Sequence, residues 1–254
     1  MTENAKKVIY TIISAAFWVA LWFAAAAIVA KEVILPSPVV VFRKIGELAA
    51  SGEFWLNIGK SLLRVTIGVV GAAALGLLAA AAAHKFAAVR AILRPLNEVV
   101  KATPIVSFIF IAYIAFNKTI TVLPIFIAAL IVFPVIYGQV LAALDGVGRE
   151  LFEVAEVFDY SKSEKLKSIW LPTIMPVFSA SFATSIGLGW KAGIAAEALA
   201  ASSALNGIGT EIANAKTFIE TVDQFAWTTV IIILSVIIEL LFKFTINKIK
   251  KRYE

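Results

Sequence analysis

Of the 254 residues, 61% are hydrophobic and only 16% are charged, and the mean hydropathy is +0.91. Soluble domains run at about 45–50% apolar and about 25% charged, so these values exclude a water-soluble enzyme and a disordered chain. They point to an all-α integral membrane protein, residues 1–254 forming a single transmembrane domain. With no cysteine there are no disulfides, thiolate metal sites or cysteine nucleophiles, and one histidine makes a poor start to a zinc centre, so no metal site is expected. The net charge of +6 is read as basic residues gathered in cytoplasmic loops, not as a nucleic-acid surface.

A spanning helix needs roughly 20 mostly apolar residues. Six segments qualify: Val8–Ala30, Val65–Ala83, Val99–Phe116, Ile120–Leu141, Thr173–Ala192 and Phe225–Phe244. Their apolar runs are continuous, whereas barrel strands alternate, and stretches such as Ala72–Ala83 favour helix. The first run exceeds the about 7–15 residues of a signal-peptide core and is expected to be retained. With the N-terminus inside, fifteen basic residues fall in inner segments and seven in outer ones. Both termini are therefore expected in the cytoplasm.

Three segments between the spans carry pattern. Residues 35–64 open with Leu35-Pro36-Ser37-Pro38, and Val41, Phe42, Ile45, Leu48 and Ala49 then recur at helical spacing. This predicts an amphipathic helix on the outer membrane face. Residues 199–224 form a polar outer segment containing Asn206-Gly207-Ile208-Gly209. Residues 145–172 form a cytoplasmic loop long enough to suggest function. There, Leu151, Val154, Ala155 and Phe158 share a helical face, and the chain breaks at Asp159-Tyr160-Ser161. Ser161 and Glu164 then make a capping box that starts a second short helix with Leu166, Ile169 and Trp170 on one face. Leu171-Pro172 is expected to end that helix and open the fifth span. Such a capped cationic helix suits a partner's groove; packing on the bundle's own inner end is the other reading.

This loop resembles the EAA loop of bacterial ABC-importer permeases. The register places Glu153-Val154-Ala155 at the Glu-Ala-Ala triplet, Asp159 at the usual glycine and Ile169-Trp170-Leu171-Pro172 at the close. Val154 replaces an alanine and Asp159 the glycine. A glycine there supplies a turn of positive φ, which aspartate tolerates better than most residues. Leu35-Pro36-Ser37-Pro38, Ser61-Leu62-Leu63-Arg64, Pro104, Gly189-Trp190-Lys191, Ala196-Glu197 and Gly207-Ile208-Gly209 are similar to the nitrate, sulfonate and taurine branch. The resemblance implies a six-helix type I importer permease, usually a homodimer, with an external binding protein delivering solute. It also implies separate ATPase subunits, using ATP and magnesium, docked on residues 153–172. Coupling then falls to Glu153, Ala155, Phe158, Asp159, Tyr160, Ser161, Glu164, Leu166, Ile169, Leu171 and Pro172. No cofactor is expected on this chain and no reaction is catalysed by it.

Charges inside a span mark a pathway or a buried pair. Lys191 and Glu197 lie near the outer end of span five, about 120° apart round a helix. Ser185, Gly189 and Gly193 make a stripe of small residues continued by Glu197. One reading sets this stripe at a tight seam, between two copies of the chain, with Trp190, Lys191 and Glu197 along the path and Lys191 favouring an anion. The other has Lys191 snorkelling and Glu197 capping or pairing. Pro104, Pro124 and Pro134 interrupt spans three and four, as cavity-lining kinks or as tolerated prolines. Tyr113 and Gln139 line the path or satisfy a neighbouring helix.

Gly59-Lys60-Ser61 mimics the end of a phosphate loop, but the required upstream glycine is Phe54. His84-Lys85 marks the inner end of span two, and the basic run from Lys248 reads as a headgroup anchor. The favoured reading is a permease for a sulfonate, nitrate or taurine-like anion. Its alternatives are a vitamin-precursor permease, a secondary transporter and a membrane scaffold.

Overall fold

The computed structural model describes residues 3–202 and 204–250; residues 251–254, the tail of the basic run, lie outside the described residues. Helices run in the order α1 (Glu3–Val29), α2 (Pro38–Ala49), α3 (Gly52–Lys85), α4 (Ala87–Ala102), α5 (Ile105–Ala115), α6 (Leu123–Asp145), α7 (Arg149–Val157), α8 (Lys162–Lys165), α9 (Leu171–Leu199), α10 (Ile208–Thr217) and α11 (Thr221–Lys250). A 3-10 segment (Asn117–Val122) precedes α6, and a π-helical one (Leu166–Trp170) joins α8 to α9. Among the described residues five helices are long and apolar enough to cross a membrane, or six if α4 and α5 make one bent span.

Helices α3, α6 and α9 form the core. Ala128, Val132, Ile136 and Val140 recur every four residues down α6 and are buried. Glycines let the neighbouring backbones close on them. A Cβ added at Gly68 would lie 2.5 Å from the Ile125 carbonyl oxygen, and one at Gly189 2.5 Å from Val69 Cγ2. Gly193 presses equally close to Val65 Cγ2. The small-residue stripe on α9 therefore seats against α3 and α6 of the same chain; it is not exposed for a second copy.

Three expected boundaries differ. Span two was expected to open at Val65, but α3 begins at Gly52, where Ser51 accepts from the Phe54 N–H as N-cap. Nothing between Gly52 and Val65 breaks helix, so the first part of α3 belongs to the segment read as residues 35–64. Span three is not one helix: α4 and α5 meet at 108°. Proline disfavours helical geometry in the residue before it, and Thr103, ahead of Pro104, is extended at φ −88°, ψ 132°. The Thr103 N–H and Oγ1 both donate to the Val99 carbonyl, and the Ser107 N–H donates to Pro104 O, so the break carries its own hydrogen bonds.

Finally, Leu171-Pro172 does not terminate a helix. Residues 162–199 are one helical run. The Leu171 N–H reaches back to the Leu166 carbonyl, a π turn just ahead of Pro172. Pro172 has no N–H to donate, and the wider turn accommodates its ring without stopping the helix.

Overpacking a tight core costs typically about 1–3 kcal/mol. Gly189→Val should lower the unfolding temperature of the detergent-purified protein by several degrees. Gly187→Ala, where an added Cβ meets nothing within 4 Å, should leave it unchanged or raise it; equal effects would refute the seam.

Candidate functional site

Two constellations stand at opposite ends of the bundle. The first is built on residues 145–172. Helix α7 ends in a Schellman turn: the Tyr160 N–H bonds Ala155 O at 2.8 Å and the Asp159 N–H bonds Glu156 O at 3.1 Å. Asp159 sits at φ 51°, the left-handed geometry expected at the glycine position. Ser161 Oγ then accepts from the Glu164 N–H while the Glu164 carboxylate accepts from the Ser161 N–H, closing the capping box. Turn and cap together fix the angle at which α8 leaves α7.

The loop divides into a buried and an open face. Ala155 and Ile169 are buried, at 1% and 5% exposure, and anchor it to the bundle. Leu151, Val154, Val157, Phe158 and Leu166 are exposed, Val157 by 80% and Phe158 by 69%. Glu153, Ser161, Glu164 and Pro172 are also exposed, Tyr160 and Leu171 less so. The shared face expected for Leu151, Val154, Ala155 and Phe158 thus splits, with Ala155 alone turned inward.

A polar bolt holds the loop to the helix ends. Arg90 Nη2 donates to both Asp145 oxygens at 2.6 and 2.7 Å, and His84 Nδ1 lies 2.9 Å from Oδ1. The Trp170 ring meets the His84 ring edge-on at 5.2 Å and the Phe152 ring at 5.2 Å. From the sequence, His84 was expected only to mark the inner end of a span. The opposed charges of Arg90 and Asp145 at consecutive span ends were the signal for this bolt.

The second constellation surrounds Glu197, which is 0% exposed. Glu197 Oε2 accepts from Ser61 Oγ at 2.6 Å and from the Gly209 N–H at 3.2 Å. Glu197 Oε1 accepts from Arg64 Nη1 at 3.1 Å, and that same nitrogen donates to Asn206 O at 2.7 Å. Ser61 Oγ in turn accepts from the Ile208 N–H at 2.9 Å. A Cβ on Gly207 would fall 2.6 Å from Glu197 Oε2, and one on Gly209 2.5 Å from Glu197 Cβ. Three motifs from distant parts of the chain, residues 61–64, 196–197 and 207–209, thus meet at one carboxylate. Beside them Asn57 Nδ2 donates to Glu211 Oε1 at 3.0 Å. Burial, with Glu53 and Asp223 nearby, pushes the Glu211 carboxyl above its ordinary range against that hydrogen bond. Leaving a buried charge without its partner costs about 3–5 kcal/mol, which makes this clamp hard to open.

The other path candidates scatter. Trp190 is 1% exposed and its indole N–H meets no acceptor among the described residues. Lys191 is exposed on α9 with no ion-pair partner among them. Pro104 is exposed at the α4–α5 break and Tyr113 is partly exposed on α5. Ser185, buried in the glycine seam, has an unpartnered hydroxyl.

The chain matches the family described as binding-protein-dependent transport system inner membrane component over residues 72–252. It is 29% identical over 200 residues to an aliphatic sulfonates transport permease of Bacillus subtilis, covering 78% of this chain and 70% of that protein. It is 24% identical over 244 residues to the taurine transport system permease TauC of Escherichia coli, covering 93% and 86%. Identity to the nitrate import permease NrtB of Leptolyngbya laminosa is 30% over 154 residues, covering 58% and 52%.

Removing an N-cap serine costs about 1 kcal/mol, and glycine accepts the left-handed region freely. Ser161→Ala should speed proteolysis between α7 and α8 about fivefold, while Asp159→Gly should leave it unchanged or slow it. The reverse order would overturn the assigned turn.

Proposed function

The chain belongs to the family of binding-protein-dependent transport-system inner-membrane components, and from that premise we propose that it carries a small anion along a path between two copies of itself. It is a multi-pass membrane permease of an ABC importer, and a separate subunit hydrolyses the ATP.

The lever carries the reading. Residues 162–199 are one helical run, so the last part of the coupling loop, from α8 onward, is continuous with the fifth span. A partner ATPase that grips the open face of α7 and the turn at Phe158–Ser161 pulls on the head of that run, and the pull reaches α9 through the π turn of Leu166–Trp170. Glu153, Tyr160, Glu164 and Leu166 frame that grip, Ala155 and Ile169 tie it to the bundle, and Leu171-Pro172 passes it into the span. ATP with magnesium drives the partner, and the loop end with both termini faces the cytoplasm. Residues 35–64 and 199–224 face outward, where the binding protein docks.

Lys191 supports the anion. A lysine facing hydrocarbon costs about 2.5–3.5 kcal/mol even on insertion scales, yet Lys191 is exposed in a span beside Leu188 and Thr184. A water-filled path shared with a second copy removes that cost and gives the cation an anionic passenger. Pro104 and Tyr113 border the same path. The relatives named for sulfonates, taurine and nitrate support this class; none of them is named for a vitamin precursor. Glu197 and Trp190 are buried and serve packing in this reading, as do Ser185, Gly189 and Gly193.

Deleting Ser161–Lys167 should abolish co-purification of the ATPase subunit; retained association would refute the grip. Lys191→Gln should cut uptake of taurine, methanesulfonate or nitrate at least tenfold with the ATPase still bound. Unchanged uptake would remove Lys191 from the path.

A further inference from the structure

The lever uses one end of the bundle and leaves the Glu197 clamp at the other without a task. We propose that Ser61, Arg64 and Glu197 form a strut that stays closed through the transport cycle and passes the load of the docked binding protein from residues 206–217 into the outer part of α9. This rests on the permease reading and assigns to that end a role the coupling loop does not supply.

The construction fits a strut better than a gate. Glu197 is fully buried, and each of its carboxylate oxygens is held by a donor from another segment: Ser61 and Arg64 from α3, and the Gly209 N–H at the start of α10. Opening it would strand that carboxylate without solvent or partner. Gly207 and Gly209 seat their loop so tightly that no side chain fits, and Asn57–Glu211 repeats the α3–α10 tie one turn further out. Lys191 lies on the same helix, two turns from Glu197. A push on α10 is thus delivered through Gly209 and Glu197 into the helix that bears the path lysine. The points where the helical ladder is displaced lie elsewhere, at the π turn of Leu166–Trp170 and the Thr103–Pro104 break.

The native chain has no cysteine, so one pair reports cleanly. Asn57→Cys with Glu211→Cys, oxidised in the complete transporter in lipid vesicles, should retain uptake of a taurine, methanesulfonate and nitrate panel within about twofold. Uptake that is blocked by the bond and restored by reductant would show that the clamp opens, and would overturn the strut. Glu197→Gln should leave the assembled transporter's basal ATP hydrolysis in place and reduce its stimulation by the external binding protein about tenfold. Arg64→Lys, which keeps the charge, should retain most of that stimulation. Full stimulation of Glu197→Gln, or equal loss of basal and stimulated rates, would overturn the proposal. Should Glu197→Gln not assemble, Ser61→Ala must lower stimulation about threefold, and no change would overturn the strut equally. An unmodified chain that assembles with no ATPase would instead bring down the permease reading, and the strut with it, and is recognised because the control fails.

Discussion

A bilayer interior offers no hydrogen bonds to an unpaired backbone and little relief to an unpaired charge. Each departure from plain helix in this chain carries its own remedy. At the α4–α5 break the Val99 carbonyl takes both the N–H and the hydroxyl of Thr103. At the π turn the Leu171 N–H finds Leu166, and the Thr173 hydroxyl donates to Ile169 O at 2.8 Å. At Glu197 a carboxylate is matched by one guanidinium, one hydroxyl and one backbone amide. Lys191 stands in contrast, exposed in a span with no ion-pair partner among the described residues, and the proposed path rests on that contrast.

Much of the fold was legible because apolar runs of membrane length have few other uses. The Schellman turn and capping box were legible too, since Asp159, Ser161 and Glu164 act through bonds closed within a few residues. What could not be read is what depends on bond register. Pro172 after a leucine reads as a helix stop, yet a single wide turn absorbs it. Pro104 was seen as an interruption, but only the extended Thr103 turns a kink into a 108° corner.

Side-chain partners across the bundle were the larger gap. The stripe Ser185, Gly189, Gly193 announces close approach to something, and spacing alone cannot say whether that is a second copy or the chain's own α3. Val65 and Val69 supply the answer, 2.5 Å from where Cβ atoms would stand. Ser61, Arg64, Glu197 and Gly209 looked unrelated because up to 148 positions separate them, from 61 to 209. Each is ordinary in isolation, and the meaning lies in their convergence.

The two ends of the bundle are held together differently, and the difference bears on how force travels. At the loop end, Asp145 is fixed by Arg90 and His84, all three partly open to solvent. Exposed pairs of that kind contribute only about 0–1 kcal/mol. At the far end the clamp is closed by a buried carboxylate held by Ser61, Arg64 and the Gly209 N–H. On the proposed lever, residues 162–199 pass a pull from the loop into the bundle if the loop end yields and the clamped end holds. In that proposal the exposed bolt and the π turn give the yielding end. The buried carboxylate, with two glycines packed against it, gives the fixed one.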